Sequence, residues 1–243
     1  MKRFFAMLLL LCGLCAVAAA EDYSSMSMAT LQALRNRLQT ELDAIDRVID
    51  ARLSAVQNVG DTVFLGTYEQ DGNDANGAEP IEWIVLDIRD GKALLLSRYC
   101  LDSQPYQTDG YGSDWNSSYM RVWLNEAFLT AAFTSQEADR LATGSTDKMS
   151  FEDFIRSGIS ADRVFLLTRE EIIRFDARKA MPTIHLYLNG SARGGFTDNG
   201  DYYMNLCTKE GMSCSGYSNG FGAVYPGVHY AVRPAVWMTI TAE

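Results

Sequence analysis

The sequence predicts an α+β protein, with antiparallel sheets, flanking helices and a long irregular loop region, preceded by one long amphipathic helix. Three observations carry this expectation. Leu31, Leu34, Leu38, Leu42, Ile45, Ile49, Leu53 and Val56 recur at steps of three and four, the spacing of one helix face. From residue 60 onward, short runs rich in β-branched and aromatic residues alternate with polar turns, which is the pattern of strands. Between Pro182 and Gly227 the chain becomes rich in Gly, Asn, Tyr and Ser and loses both periods, and a loop that long in a compact domain is usually functional. With 243 residues, 47% hydrophobic and 21% charged, the chain is globular rather than disordered or fibrous, and long enough to bury a core without disulfide staples.

Residues 1–20 read as an export signal. Lys2 and Arg3 form a positive start, Phe4 to Val17 an apolar run, and Ala18-Ala19-Ala20 a small-residue cleavage site. The run is too short for a membrane span, so after cleavage behind Ala20 the expectation is a secreted chain with no transmembrane helix. Residues 21–58 form the amphipathic helix and its linker, with Ser25 or Ser27 as N-cap and Asn58-Val59-Gly60 as the stop. Its steps of three, four and four make an eleven-residue period, distinct from a leucine zipper. The stripe suits equally a helix packed on its own domain and one that self-associates, so the 28–57 helix offers a route to a homo-oligomer.

Residues 59–243 are expected to form one domain. Thr62 to Tyr68, Ile81 to Ile88 and Lys92 to Ser97 read as a meander, with a polar turn from Asp71 to Glu79 and Asp90-Gly91 at the second turn. Met120 to Phe133 and Ser135 to Leu141 return to helical spacing, and Phe151 to Ile155 reads as a short helical turn. Val164 to Leu167 is a buried strand, and Thr168 caps a helix with Glu171 as its capping-box partner. Tyr230 to Trp237 is the closing apolar strand.

The chemistry-bearing residues are sparse. A formal charge of -10, sharpened once Lys2 and Arg3 leave, and the lack of any Lys/Arg cluster exclude nucleic acid as a partner. His185 and His229 are the two histidines, and neither neighbours a G-x-S-x-G elbow; no HExxH, paired CxxC or P-loop occurs. No catalytic residue, metal ligand or cofactor is therefore assigned. The Asp71 to Glu82 stretch invites a calcium reading but fails at Ala75 and Asn76, where an EF-hand needs an oxygen ligand and a Gly, so a hydrated hairpin is expected. Cys100 follows an apolar run and reads as a buried thiol, whereas Cys207 and Cys214 enclose a polar, Gly-containing turn that a disulfide would close.

Trp83, Trp123 and Trp237 lie in apolar elements and read as core. Tyr106, Tyr111, Trp115, Tyr202, Tyr203, Tyr217, Phe221 and Tyr225 lie instead among Gly, Asn and Ser, the composition of recognition surfaces. Such aromatics either face a ligand or turn inward to pin the loop. The ligand-facing set is Trp115, Tyr202, Tyr203, Tyr217, Phe221 and Tyr225.

Several segments together carry a family resemblance: GDTVFLGTYEQ from Gly60, EPIEWIVLD from Glu79, KALLLSRYCLDSQ from Lys92, WNSSYMRVWLNEAF from Trp115, VFLLT from Val164 and AVRPAVW from Ala231. In this order they resemble the DUF6273-type domains of exported bacterial proteins, which are similar to the C-type-lectin-like fold shared by formylglycine-generating enzymes and diversified receptors. The resemblance implies a lectin-like domain that displays a ligand surface on its loop region. It transfers no catalytic residue, because the surroundings of Cys207 and Cys214 depart from the copper-binding motif of the enzymes. The expected function is a secreted, non-catalytic recognition module for an extracellular glycan or protein. The alternatives are a formylglycine-generating-type oxidase using Cys207 and Cys214, or an assembly protein working through its helix.

Overall fold

The computed structural model describes residues 23–54, 56, 58–109, 114–142, 162–177, 181–189, 194–196, 202–209, 212–215 and 221–240. The expected signal segment and the Phe151 to Ile155 turn fall outside these residues. The chain divides into two compact units at Ala51–Arg52.

Helix α1, Met28–Ser54, belongs to the first unit as far as Ala51 and ends slightly short of the expected 28–57. Ser27 caps it, its Oγ accepting from the Thr30 backbone N–H at 3.2 Å. Arg37 and Glu41 pair one turn apart at 3.0 Å, and Gln39 donates to Asp43 in the same spacing. Leu38, Leu42, Ile45, Val48 and Ile49 are exposed along the helix. No helix among the described residues is long and apolar enough to cross a membrane.

The second unit opens with the meander: β1 Thr62–Tyr68, β2 Glu79–Arg89 and β3 Lys92–Ser97. Asp90 and Gly91 both take positive φ, 50° and 69°, the backbone of the tight turn that joins strands with the right twist. β4, Asp102–Pro105, then leaves for a second sheet. Helix α2 runs through Tyr119–Trp123, Leu124–Phe128 and Leu129–Ala132, its middle segment widened to π geometry. At that widening Asn125 accepts from the Arg163 and Val164 N–H groups and donates to the Val164 carbonyl, so the helix holds the following strand by side-chain bonds.

Helix α3, Ser135–Arg140, and strand β5, Leu141–Ala142, follow; β6 is Val164–Phe165, shorter than the expected strand although Leu166 and Leu167 stay buried. Helix α4, Arg169–Arg174, carries the Thr168–Glu171 capping box in full, and α5 is Ile184–Asn189. The stretch expected as irregular loop contains, besides α5, strands β7 Gly194–Phe196, β8 Tyr202–Cys207, β9 Met212–Ser215 and β10 Phe221–Ala223. These strands were illegible because they are short and separated by stretches rich in Gly, Asn and Ser, and it is pairing between segments that defines them.

The expected closing strand is two strands, β11 His229–Val232 and β12 Ala235–Thr239. Pro234 lacks the N–H that a continuing ladder needs, and the chain changes sheet there. One sheet has the order β1-β2-β3-β12-β5 with β6 also on β12, all antiparallel. The other has the order β10-β9-β8-β11-β4 with β7 on β8, and mixes antiparallel pairs with one parallel contact, Ala231 to Leu206. The molecule is thus α+β, as expected. Trp83 is fully buried and its indole N–H reaches the Leu65 carbonyl at 2.8 Å; Trp237 is also core, while Trp123 is partly buried and packs on Phe128.

Candidate functional site

Strand alternation turns Val63 and Leu65 of β1 inward and leaves Phe64, 61% exposed, on the outer face opposite Glu82 of β2. Beside it the chain between residues 181 and 185 runs as a strap. The Cys100 N–H donates to the Met181 carbonyl at 2.9 Å, the Thr183 N–H to the Cys100 carbonyl at 3.1 Å, and the His185 N–H to the Gln70 carbonyl at 3.0 Å. Strap and hairpin enclose a cleft of about 360 Å³, lined by Phe64, Pro80, Tyr99, Pro182 and Ile184 on its apolar side. Gln70, Asp71, Glu79, Glu82 and Thr183 supply the polar side.

The acidic rim is built by its own loop. Glu69 accepts from the N–H groups of Asp71, Gly72 and Asn73 through one oxygen, at 3.1, 2.6 and 3.2 Å. Asp71 accepts from Asn73 N–H and from the Asn76 amide, and these two bonds, the Asn76 one foremost, hold its carboxyl below the usual range. Glu79 accepts from Gln70 N–H at 2.7 Å. One carboxylate oxygen from each of Glu69, Asp71 and Glu79 lies within 4.8 Å of the others, so these are the residues that could share a cation. The same three carboxylates already take N–H donors of the loop, which accounts for the cluster without an ion and agrees with the hydrated hairpin expected here.

A model of the family described as a domain of unknown function, DUF6273, matches residues 90–240, more than half of the chain. The chain belongs to the DUF6273 family. No curated protein and no solved structure matches it. The DUF6273 match takes in Tyr99 and the strap but stops short of the β1–β2 wall of the cleft.

Within this DUF6273 chain the aromatic set of the sequence does not assemble as one surface among the described residues. Trp115 corrects the expectation most clearly: it is only 8% exposed, and its indole N–H donates to Asp162 at 2.7 Å. Asp162 also takes Arg121 Nε through both oxygens, at 2.8 and 3.0 Å, so the aromatic is consumed in satisfying a buried ion pair. Tyr106, another loop aromatic, is fully buried and donates to the Lys209 carbonyl. Phe221 is partly buried with the Arg169 guanidinium 5.0 Å from its ring centroid, whereas Tyr225 is 55% exposed. Tyr202 and Tyr203 lie on β8, where their backbone alone is described; Tyr111 and Tyr217 fall outside the described residues.

His229 does not stand as a base toward the neighbouring Ser103 hydroxyl. His229 Nδ1 meets the Ser103 carbonyl at 2.9 Å, so that nitrogen carries its proton and cannot take one from Ser103 Oγ, 3.5 Å away. Asp102, the adjacent carboxylate, is taken up by the Tyr68 hydroxyl and the Ser103 N–H. Burial, reinforced by Asp102, pushes the Tyr68 phenol far above its usual value, so it stays a neutral donor. Cys100 is a buried thiol outside any disulfide, as expected, and burial pushes it up to about 12. The β8–β9 ladder sets Cys214 opposite Leu206 and Cys207 opposite Ser213, so the two cysteine positions are offset by one residue rather than paired.

Sequence reasoning missed the cleft. Phe64 gave a faint signal, a large apolar residue at the outward position of a half-buried strand. Tyr99 and the strap gave none, because their place depends on a parallel contact of Cys100 with Pro182, far apart in the chain.

Proposed function

We propose that the protein is an exported, non-catalytic recognition domain of C-type-lectin-like architecture that binds an extracellular ligand in the cleft of Phe64, Tyr99 and the 181–185 strap. The observation that supports it best is the cleft itself. It is concave, walled by aromatic and prolyl groups, and edged by a few polar side chains held by backbone bonds, which is the anatomy of a ligand site. Carboxylates on its rim brace the loop that builds it, Glu79 accepting from Gln70 N–H and Asp71 from Asn73 N–H. The signal-like residues 1–20 support export. Among the described members of the aromatic loop set, Tyr225 is exposed and remains in this reading as a further candidate ligand contact.

The test is a titration of residues 21–243 with soluble cell-wall glycan fragments and with capped peptides, followed by NMR. Binding is expected to shift Phe64, Tyr99 and Ile184 first, and Phe64→Ala is expected to weaken it about tenfold, the effect of losing one aromatic anchor, without changing the melting temperature. Binding that leaves these resonances unmoved and tolerates Phe64→Ala refutes the assignment.

A further inference from the structure

We infer that the cleft takes a cationic side chain, an arginine or lysine of a protein partner; this rests on the reading that the cleft is the binding site and names its ligand class. Charge comes first. Asp71, Glu79 and Glu82 line the cleft, and Glu69 stands against Asp71 and Glu79. Arg98, the cation beside them, is already engaged: its guanidinium pairs with Glu82 Oε1 and donates to Thr62. The second carboxylate oxygens of Glu79 and Glu82 keep their acceptor capacity, since the bonds of these side chains to Gln70 N–H and Arg98 each use one oxygen.

The walls complete the match. Pro80, Pro182 and Ile184, the last 63% exposed, offer apolar surface for the methylene stem of a long cationic side chain, while Phe64 and Tyr99 offer ring faces. A volume of about 360 Å³ lies at the small end of ligand sites, right for one or two side chains rather than a long oligosaccharide. The net charge of -10 steers cations toward the molecule and turns phosphate-rich or uronic ligands away. A neutral glycan would use the rings but leave the carboxylate rim uncompensated.

Capped Gly-Arg-Gly and Gly-Lys-Gly peptides, the Gly-citrulline-Gly twin and chitotriose, titrated into residues 21–243, decide it. The cationic peptides are expected to shift Phe64, Tyr99 and Ile184, to bind at least fivefold more weakly at about 300 mM than at about 20 mM NaCl, and to bind at least tenfold more tightly than the citrulline peptide. Glu79→Gln is expected to lose most of the binding. Because Glu79 also braces its loop, Ile184→Lys, at an exposed position, is the second variant, and it should abolish cationic binding while leaving the fold intact. Equal binding of arginine and citrulline peptides overturns the inference, as does an unaffected Ile184→Lys. Chitotriose shifting the same residues while the cationic peptides do not overturns the inference and leaves the cleft as the binding site; silence of the cleft toward every probe overturns both.

Discussion

Arg233 carries a guanidinium into the core and donates to the backbone carbonyls of Ser97, Ala177 and Arg98, at 2.8, 2.9 and 3.4 Å. Burial lowers the affinity of that group for its proton, and the three carbonyls offset the lost water. They belong to the end of β3, the turn after α4 and the start of the link to β4, so one side chain ties the sheet crossing to its surroundings. Arg233→Ala leaves those carbonyls without donors and is expected to cost about 3 kcal/mol, read by urea denaturation at pH 7 with an unchanged slope. A loss under about 1 kcal/mol would show that water replaces the guanidinium. The arginine was visible in the sequence only as part of a family-like AVRPAVW run; its role needed Ala177 and Ser97 beside it.

The strands and helices repeat that division one level up. The Thr168–Glu171 box formed as expected, and the same residue pattern at Thr134 and Glu137 caps α3; both are signals contained in four residues. Gly66 is different. It sits at φ 70° where the β1–β2 register slips between Phe64 and Thr67, and an added Cβ would come 2.5 Å from the Ala132 carbonyl oxygen and 2.8 Å from the Phe133 ring. Its N–H donates to Glu137. Gly66→Ala therefore combines strained backbone with a backbone clash and is expected to cost roughly 3 kcal/mol or more, lowering the melting temperature by several degrees. Wild-type stability in that variant would mean that α2 shifts freely against β1. The glycine was plain in the sequence, but the slip that requires it was not, because a bulge is a relation between two strands.

At the scale of the whole molecule, the division at Ala51–Arg52 falls within the last turn of α1: residues 28–51 lie in one unit, while Arg52–Ser54, with Leu53 buried, belong to the unit that holds the core, both sheets and the cleft. Limited proteolysis that cuts within residues 28–51 is expected to leave residues 52–243 resistant and melting within about 2 °C of the intact protein by calorimetry. A coupled loss of the domain transition would place the helix in its folding unit. The sequence by itself determined what lies within a short window: the helix period, the meander with its Asp90-Gly91 turn, the capping box, the buried thiol and the acidic hairpin. Tertiary structure decided what depends on contacts between distant segments. It split the last apolar run between two sheets at Pro234, turned Trp115 inward onto Asp162, drew short strands from a polar stretch, and set Phe64, Glu79, Tyr99 and Ile184 around one cleft. Local patterns record the free energy of neighbours along the chain. The cleft is made by pairing the Cys100 and Pro182 segments, an energy held by no single window of sequence.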